Sequence, residues 1–218
     1  MNPPQVLEAL ARHPRCELGA YPTPFDHLER LSEDLGRTVH IKRDDALGPA
    51  GGGNKTRKLE FQLAQALEQG ATRVVTVGGA QSNHARITAA AARVLGLEPH
   101  LLLFGTEPEK AMGNLLIDQL LGAELHFIPP GPIAGACTAE ELDAHVLNEA
   151  SKRVGEHYYI PLGGSNGLGS LGYVQAALEL ENQAREAGIA NAWVVMATGS
   201  GGTFAGLLAG LRLSLIHI

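Results

Sequence analysis

Residues 73–84 read RVVTVGGAQSNH, a mostly β-branched apolar run that leads through two glycines into a polar turn. The β-branched run predicts a buried strand. Ser82 and Asn83 are residue types that begin helices. Apolar side chains then recur at helical spacing, at Ile87, Ala90, Ala91 and Val94. A strand that leads directly into a helix is the repeating unit of an α/β protein.

The same alternation continues on both sides of this stretch. Short apolar runs predict further strands at residues 39–42, 100–104, 125–128, 158–162 and 193–196. Helical periodicity separates most of these runs, and Thr138 and Glu141 form a capping-box pattern that begins one helix. Alternating strands and helices predict a mostly parallel sheet, which binds ligands in the turns at the carboxyl ends of its strands. The glycine-rich turns are therefore the candidate functional sites.

The composition excludes several classes of function. The chain has 218 residues, of which 44% are hydrophobic, so it can bury a sizeable core. Its formal net charge of -6 offers no basic excess for a nucleic acid. Cys16 and Cys137 match neither a disulfide framework nor a metal-ligand spacing, and the nine histidines form no metal-binding motif. We predict no metal, a cytoplasmic location and a small-molecule substrate.

The sequence predicts neither a secretory signal nor a membrane span. The N-terminus lacks the basic and apolar regions of a secretory signal. Glycines interrupt the uncharged stretch 192–211, so we expect no membrane span. No strand follows the last predicted helix, at about residues 204–213, so we expect a C-terminally truncated α/β unit. Residues 213–218 match the translation of a transposase adapter, and we expect them to be a non-native tail.

The first glycine-rich turn is residues 51–58, GGGNKTRK, between an extended segment and an amphipathic helix. A phosphate-binding P-loop is excluded because Asn54 stands between the last glycine and Lys55. The positive end of the helix dipole disfavours the charge of Lys55, and a neutral lysine amine is a nucleophile. A flexible surface loop is the alternative.

Two further turns carry polar groups at a predicted helix N-terminus. In residues 78–84, hydroxyl and N–H groups near Ser82 and Asn83 could bind a carboxylate, with simple helix capping as the alternative. Residues 198–203, TGSGGT, predict a phosphate cradle, with a plain turn as the alternative. They do not form a dinucleotide fingerprint, because Phe204 stands where the third glycine belongs.

Together these motifs resemble the D-cysteine desulfhydrase and 1-aminocyclopropane-1-carboxylate (ACC) deaminase family of pyridoxal phosphate enzymes. The matching segments are 21–24 (YPTP), 42–45 (KRDD), 52–60 (GGNKTRKLE), 81–84 (QSNH) and 161–166 (PLGGSN). The resemblance implies a tryptophan-synthase-beta-like α/β fold of two open, mostly parallel twisted sheets with flanking helices. Residues 52–165 would form a smaller domain. Residues 1–51 and 166–218 would form an incomplete, larger cofactor-binding domain.

The resemblance also implies roles for individual residues. Lys55 would bind pyridoxal 5′-phosphate covalently and act in catalysis, and Asn83 would contact the ring hydroxyl of the cofactor. Ser82 would hold the substrate carboxylate or assist proton transfer. The phosphate would lie against Gly199, Ser200, Gly201, Gly202 and Thr203. The substrate-binding residues would be Gln81, Ser82, Asn83, His84 and Ser165. Proteins of this family are usually homodimers.

The implied activity is that of a lyase or deaminase that breaks a bond at the β carbon of a small amino acid. His84 resembles the desulfhydrase branch and favours D-cysteine, which would yield pyruvate, sulfide and ammonia. ACC deamination and L-cysteate sulfo-lyase activity are alternatives within the family. Alternatives of another class are a non-catalytic cofactor-binding fragment and a nucleotide-binding oxidoreductase.

Overall fold

The computed structural model describes residues 3–129 and 137–213 of the chain. Its α-helices are α1 (Pro3–Leu10), α2 (Glu29–Leu35), α3 (Lys55–Glu68), α4 (Asn83–Val94), α5 (Gly113–Leu120), α6 (Ala139–Ser151), α7 (Gly167–Glu186) and α8 (Gly202–Leu213). Its strands are β1 (Phe25–His27), β2 (His40–Lys42), β3 (Arg73–Gly79), β4 (Glu98–Phe104), β5 (Glu124–Ile128) and β6 (Tyr158–Ile160). Short 3-10 turns lie at Asp44–Ala46 and Leu162–Gly164.

Four parallel strands form the central sheet, in the order β5-β4-β3-β6. The register of β3 on β4 runs from Arg73 opposite Glu98 to Gly79 opposite Phe104. This sheet, with its intervening helices, confirms the α/β class. A second sheet consists of β1 and β2, which pair in antiparallel orientation.

The core lies on both faces of the parallel sheet, because successive strand residues point to opposite sides. On one face, Val74 of β3 packs in a cluster with Leu59 and Leu63 of α3 and with Ile87 of α4. On the other face, the sheet packs against α6, through Val75, Val77, Leu102, Ile128, Leu142 and Val146. The helix that carries Lys55 is therefore held directly against the strand that leads to Ser82.

The capping box predicted at the start of α6 is confirmed. Thr138 accepts a hydrogen bond from the backbone N–H of Glu141 at 3.2 Å, and the Glu141 side chain accepts one from the Thr138 N–H at 2.9 Å. Two donors at the helix N-terminus are satisfied in this way.

The strand predicted at residues 193–196 does not form. Trp193 and Val195 are 98% and 92% exposed, and no strand of the described residues pairs with this segment. A strand is stable only beside a neighbour that accepts its backbone hydrogen bonds, and a local apolar run carries no information about that neighbour. Most of the predicted non-native tail, residues 214–218, lies outside the described residues.

Helix α7 packs against both α3 and α8 and also contacts α1, so it joins the first helix of the chain to the helix that carries Lys55. Among the described residues, no helix combines the length and apolar character that a membrane span requires.

Candidate active site

Two of the three glycine-rich turns, at 51–58 and 198–203, meet beside the N-terminus of α3. Asn54, which precedes this helix, donates from Nδ2 to Oγ1 of Thr203 at 3.1 Å. Lys58, one turn into the helix, donates from Nζ to Oγ of Ser165 at 3.0 Å. Ser165 Oγ in turn lies 2.6 Å from Oγ of Ser200. Residues that are about 150 positions apart in the sequence, such as Asn54 and Thr203, therefore form one polar cluster.

Lys55 is the first residue of α3, and its half-buried amine lies beside Asn54, at one end of this cluster. Its Nζ donates to Oδ1 of Asn54 at 2.9 Å. Burial lowers the pKa of Lys55, because removal from water disfavours the charged amine. The turn before it requires glycine at position 52, where φ is +68° and a Cβ would lie 2.7 Å from the carbonyl oxygen of Asp45.

Lys58 is a second amine in the cluster, and it is only 1% exposed. Besides Ser165, its Nζ donates to the carbonyl oxygen of Gly163 at 3.1 Å. Burial, and then the neighbouring charge of Lys55, lowers the pKa of Lys58 to about 8. The sequence motif contained Lys58 but gave it no role. Its spacing of three from Lys55, which places both on one helix face, was the available signal.

The turn at residues 199–203 closes over this amine. Helix α8 begins at Gly202, and a Cβ at that position would lie 2.7 Å from Oγ of Ser165 and 2.9 Å from Nζ of Lys58. Gly201 has a φ of +83°, which glycine adopts without strain. A helix N-terminus thus approaches a buried lysine at van der Waals distance, and both favour an anion.

The predicted carboxylate-binding turn lies at the start of α4. Ser82 caps this helix, because its Oγ accepts a hydrogen bond from the N–H of Ala85 at 3.2 Å. Asn83 is exposed, and its Oδ1 accepts a hydrogen bond from Nδ2 of Asn114 at 3.0 Å. The Gln81 side chain is engaged in bonds to the backbone of α5: Nε2 donates to Met112, and Oε1 accepts from Asn114.

His84 lies beneath this turn and is buried. Its Nε2 is 2.7 Å from Oγ1 of Thr76, whose hydroxyl donates to the carbonyl oxygen of Ile160 at 2.8 Å. Nε2 must therefore carry the proton that it donates to Thr76. Burial, and then the charges of Lys55 and Lys58, lowers the pKa of His84 to about 3, so the ring is neutral.

A buried ion-pair network, which sequence reasoning missed, anchors α3 on the side away from the cluster. Arg57 is 1% exposed and donates to both carboxylate oxygens of Asp44, at 2.7 and 2.8 Å. It also donates to both oxygens of Glu179 on α7, at 3.0 and 3.2 Å. Lys42 pairs with Glu179, and the Tyr173 hydroxyl donates to Asp44 at 2.8 Å. Segments 42–45 and 52–60 therefore contact each other through this network.

The profile of the family described as "Pyridoxal-phosphate dependent enzyme" matches residues 16–218. The chain belongs to this family. A D-cysteine desulfhydrase of Klebsiella pneumoniae is 45% identical over 215 residues, which cover 94% of this chain and 62% of that protein. A D-cysteine desulfhydrase of Serratia proteamaculans is 44% identical over 216 residues, with 95% and 63% covered.

A solved structure supports the same fold. The crystal structure of an ACC deaminase homologue superposes with a TM-score of 0.79 at 41% sequence identity, and the match covers 98% of this chain and 63% of that one. The chain therefore spans less than two thirds of the length of the relatives it matches. The predicted family and the fold class are both confirmed.

The cluster around Lys58 fits the phosphate of the family's cofactor. Among the described residues, neither Lys55 nor Lys58 forms an ion pair with a carboxylate, whereas a buried ammonium group is normally paired with an anion. Within the described part of the chain, the amine of Lys55 has only an amide oxygen as its hydrogen-bond partner, and it can react with an aldehyde. The described residues contain no cluster of three or more metal-ligating side chains.

Proposed function

We propose that the protein uses pyridoxal phosphate, bound covalently at Lys55, to eliminate sulfide from D-cysteine. The observation that carries this proposal is the pair of amines with lowered pKa at the N-terminus of α3, the half-buried Lys55 and the buried Lys58, beside the glycine turn that begins α8. When bound, the cofactor supplies an electron sink for the α carbon of an amino acid. The overall reaction converts D-cysteine and water to pyruvate, hydrogen sulfide and ammonia.

The two lysines have different roles in this proposal. Lys58 is fully enclosed and donates to two oxygens, so it acts as a fixed cation for the phosphate. Lys55 is less buried and has one amide partner, so its amine is free to bind the cofactor. The lowered pKa of Lys55 increases its neutral fraction, and the neutral amine can accept the α proton of the substrate at Nζ.

The phosphate end of the site is assigned to residues near Lys58. Hydroxyls of Ser165 and Ser200 lie 2.6 Å apart beside this amine. The N-terminus of α8 adds its backbone N–H groups at Gly202 and Thr203, and Gly199 and Gly201 let the loop approach closely. In this arrangement Ser165 lies at the phosphate end and not, as the sequence predicted, at the substrate.

The substrate end is assigned to the turn at the start of α4. Ser82 accepts the capping hydrogen bond through its oxygen, so its hydroxyl proton remains able to donate to a substrate carboxylate. Asn83 is exposed and is assigned to the ring hydroxyl. Substrate contacts by Gln81 and His84 stay predictions, as do the homodimer and the division into two domains.

D-cysteine is favoured over ACC on chemical grounds and by the resemblance at His84. D-cysteine has an α proton that a neutral Lys55 can accept, and its sulfur is a competent leaving group. ACC has no α proton, so ring opening needs another acid or nucleophile. Sequence identity does not favour one substrate over the other. The D-cysteine desulfhydrase of Klebsiella pneumoniae is 45% identical to this chain, and the ACC deaminase homologue is 41% identical.

The full-length protein, loaded with pyridoxal phosphate, tests the proposal in one preparation. Borohydride reduction followed by peptide mapping should find the cofactor on Lys55, and Lys55→Ala should abolish both the visible absorbance band and the release of pyruvate. Cofactor fixed to Lys58 or Lys42 would refute the assignment. More 2-oxobutyrate from ACC than pyruvate from D-cysteine would refute only the substrate. Bound cofactor without turnover of either would indicate a non-catalytic carrier.

A further inference from the structure

The amide of Asn114, on the first turn of α5, has a fixed orientation. A guanidinium group can only donate hydrogen bonds, and Nη1 of Arg86 lies 3.1 Å from Oδ1 of Asn114. A backbone carbonyl can only accept, and Nδ2 of Asn114 lies 2.8 Å from the carbonyl oxygen of Gln81. Both contacts require the same assignment of oxygen and nitrogen in the Asn114 amide.

The orientation of Asn114 determines that of Asn83. Nδ2 of Asn114 also donates to Oδ1 of Asn83, at 3.0 Å. Because the oxygen of Asn83 faces this donor, its NH2 group is turned to the opposite side. An NH2 group can only donate, and the oxygen of the ring hydroxyl of pyridoxal phosphate is an acceptor when that hydroxyl is deprotonated. The amide of Asn83 is therefore presented in the orientation that its proposed role requires.

Arg86 connects this amide pair to the turn before Lys55. Its Nη2 donates to the carbonyl oxygen of Gly52 at 2.7 Å. One side chain on α4 thus holds the Lys55 turn through Gly52 and the Asn83 turn through Asn114. Hydrogen bonds through Asn114 and Arg86 thus link Asn83 to Gly52, which lies three residues before Lys55 in the chain.

We propose that Asn114, oriented by Arg86, is a positioning residue that directs the NH2 group of Asn83 toward the oxygen of the cofactor's ring hydroxyl. This inference rests on the proposed function, in which Asn83 contacts that oxygen. Asn114 itself touches neither cofactor nor substrate in this arrangement. Its effect passes through Asn83, so it should disappear when the Asn83 amide is removed.

Asn114→Asp in the full-length protein is the direct test. The carboxylate cannot donate to Oδ1 of Asn83, so the Asn83 amide turns and presents its own oxygen to the cofactor ring. A lost hydrogen bond to a charged group weakens binding by roughly tenfold or more. We expect pyridoxal phosphate to bind about tenfold more weakly in a spectral titration, with a smaller share of the absorbance in the visible band. Asn182→Asp is the matched control, since Asn182 accepts a hydrogen bond from Arg185 at 3.2 Å on an exposed helix surface.

A double-mutant cycle separates positioning from the added charge. In an Asn83→Ala background, Asn114→Asp should change neither the affinity nor the visible band further. Additive effects, or a single Asn114→Asp variant that binds and absorbs like the wild type, would overturn the positioning role while leaving Lys55 in place. A wild-type protein without cofactor on Lys55 would overturn both proposals. If thermal unfolding shows that Asn114→Asp is not folded, Asn114→Ala replaces it in the same cycle.

Discussion

Lys58→Met replaces the buried amine by an unbranched apolar side chain of similar length. The amine makes two hydrogen bonds, to Gly163 and Ser165, and stands beside the first residue of α8, Gly202. A hydrogen bond to a charged group contributes about 1.5–3 kcal/mol. At about 1.4 kcal/mol for each factor of ten, the variant should bind the cofactor phosphate roughly 10 to 150 times more weakly at pH 7.

The pH dependence of binding provides a second test with a defined sign. The pKa of Lys58 is lowered to about 8, so the amine is mostly charged at pH 7 and mostly neutral at pH 9. A phosphate monoester is a dianion above its second pKa of about 6. Binding above pH 8 must therefore protonate Lys58, and the affinity should fall by up to about tenfold for each pH unit above that value.

The assay uses 4′-deoxypyridoxine phosphate, which has the ring and phosphate of the cofactor but no aldehyde, so reaction with Lys55 does not contribute. Titration calorimetry of the full-length protein at several pH values gives the dissociation constant. Lys110→Met, at an exposed loop position, is the control for the loss of one positive charge. If Lys58→Met binds within about twofold of the wild type and keeps its decrease in affinity above pH 8, the assignment of Lys58 to the phosphate is wrong.

Two further substitutions separate chemistry from stability. Ser82→Ala should lower turnover on the order of a hundredfold with little loss of bound cofactor. The control is Thr138→Ala, which also removes an N-cap and about 1 kcal/mol of helix stability but should leave turnover unchanged. Equal losses of cofactor and turnover in Ser82→Ala would favour the capping role alone. Asp44→Asn should lower the free energy of unfolding by about 3 kcal/mol in urea, because Arg57 loses a buried partner. Asp45→Asn, at the exposed neighbouring position, should change it little, and equal effects of the two would refute the importance of the buried network.

The fold could be predicted where the local sequence pattern agrees with the hydrogen-bond partners that the folded chain supplies. The strand predicted from the β-branched run at 73–77 forms within β3, a central strand of the parallel sheet. The Thr138 capping box forms because its hydrogen bonds are made within four residues. The run at 193–196 has a similar apolar pattern but no strand beside it among the described residues. Local pattern specifies the tendency to form a strand, whereas the hydrogen-bond partner comes from elsewhere in the fold.

The candidate site was predictable only in part, for a related reason. Lys55 and the turn at 199–203 stand out in the sequence because a glycine-rich turn at a helix N-terminus is typical of an anion-binding site. Asn114 and Arg86 are ordinary polar residues whose contacts span 28 to 34 positions in the sequence. Their roles arise only when α4 and α5 are packed side by side, so no spacing in the sequence indicates them.

Helix α3 has two faces with different partners. The segment 52–60 therefore contains residues that anchor the helix as well as the two lysines assigned to the cofactor. Lys55, Lys58 and Gln62 follow spacings of three and four, so they lie on one face, where Gln62 donates to the loop before α7. Arg57, about 200° around the helix from Lys55, and Glu60 lie on another face and make the anchoring ion pairs. Since the two faces have separate partners, Lys58→Met should weaken cofactor binding with little change in unfolding, and Asp44→Asn should do the reverse.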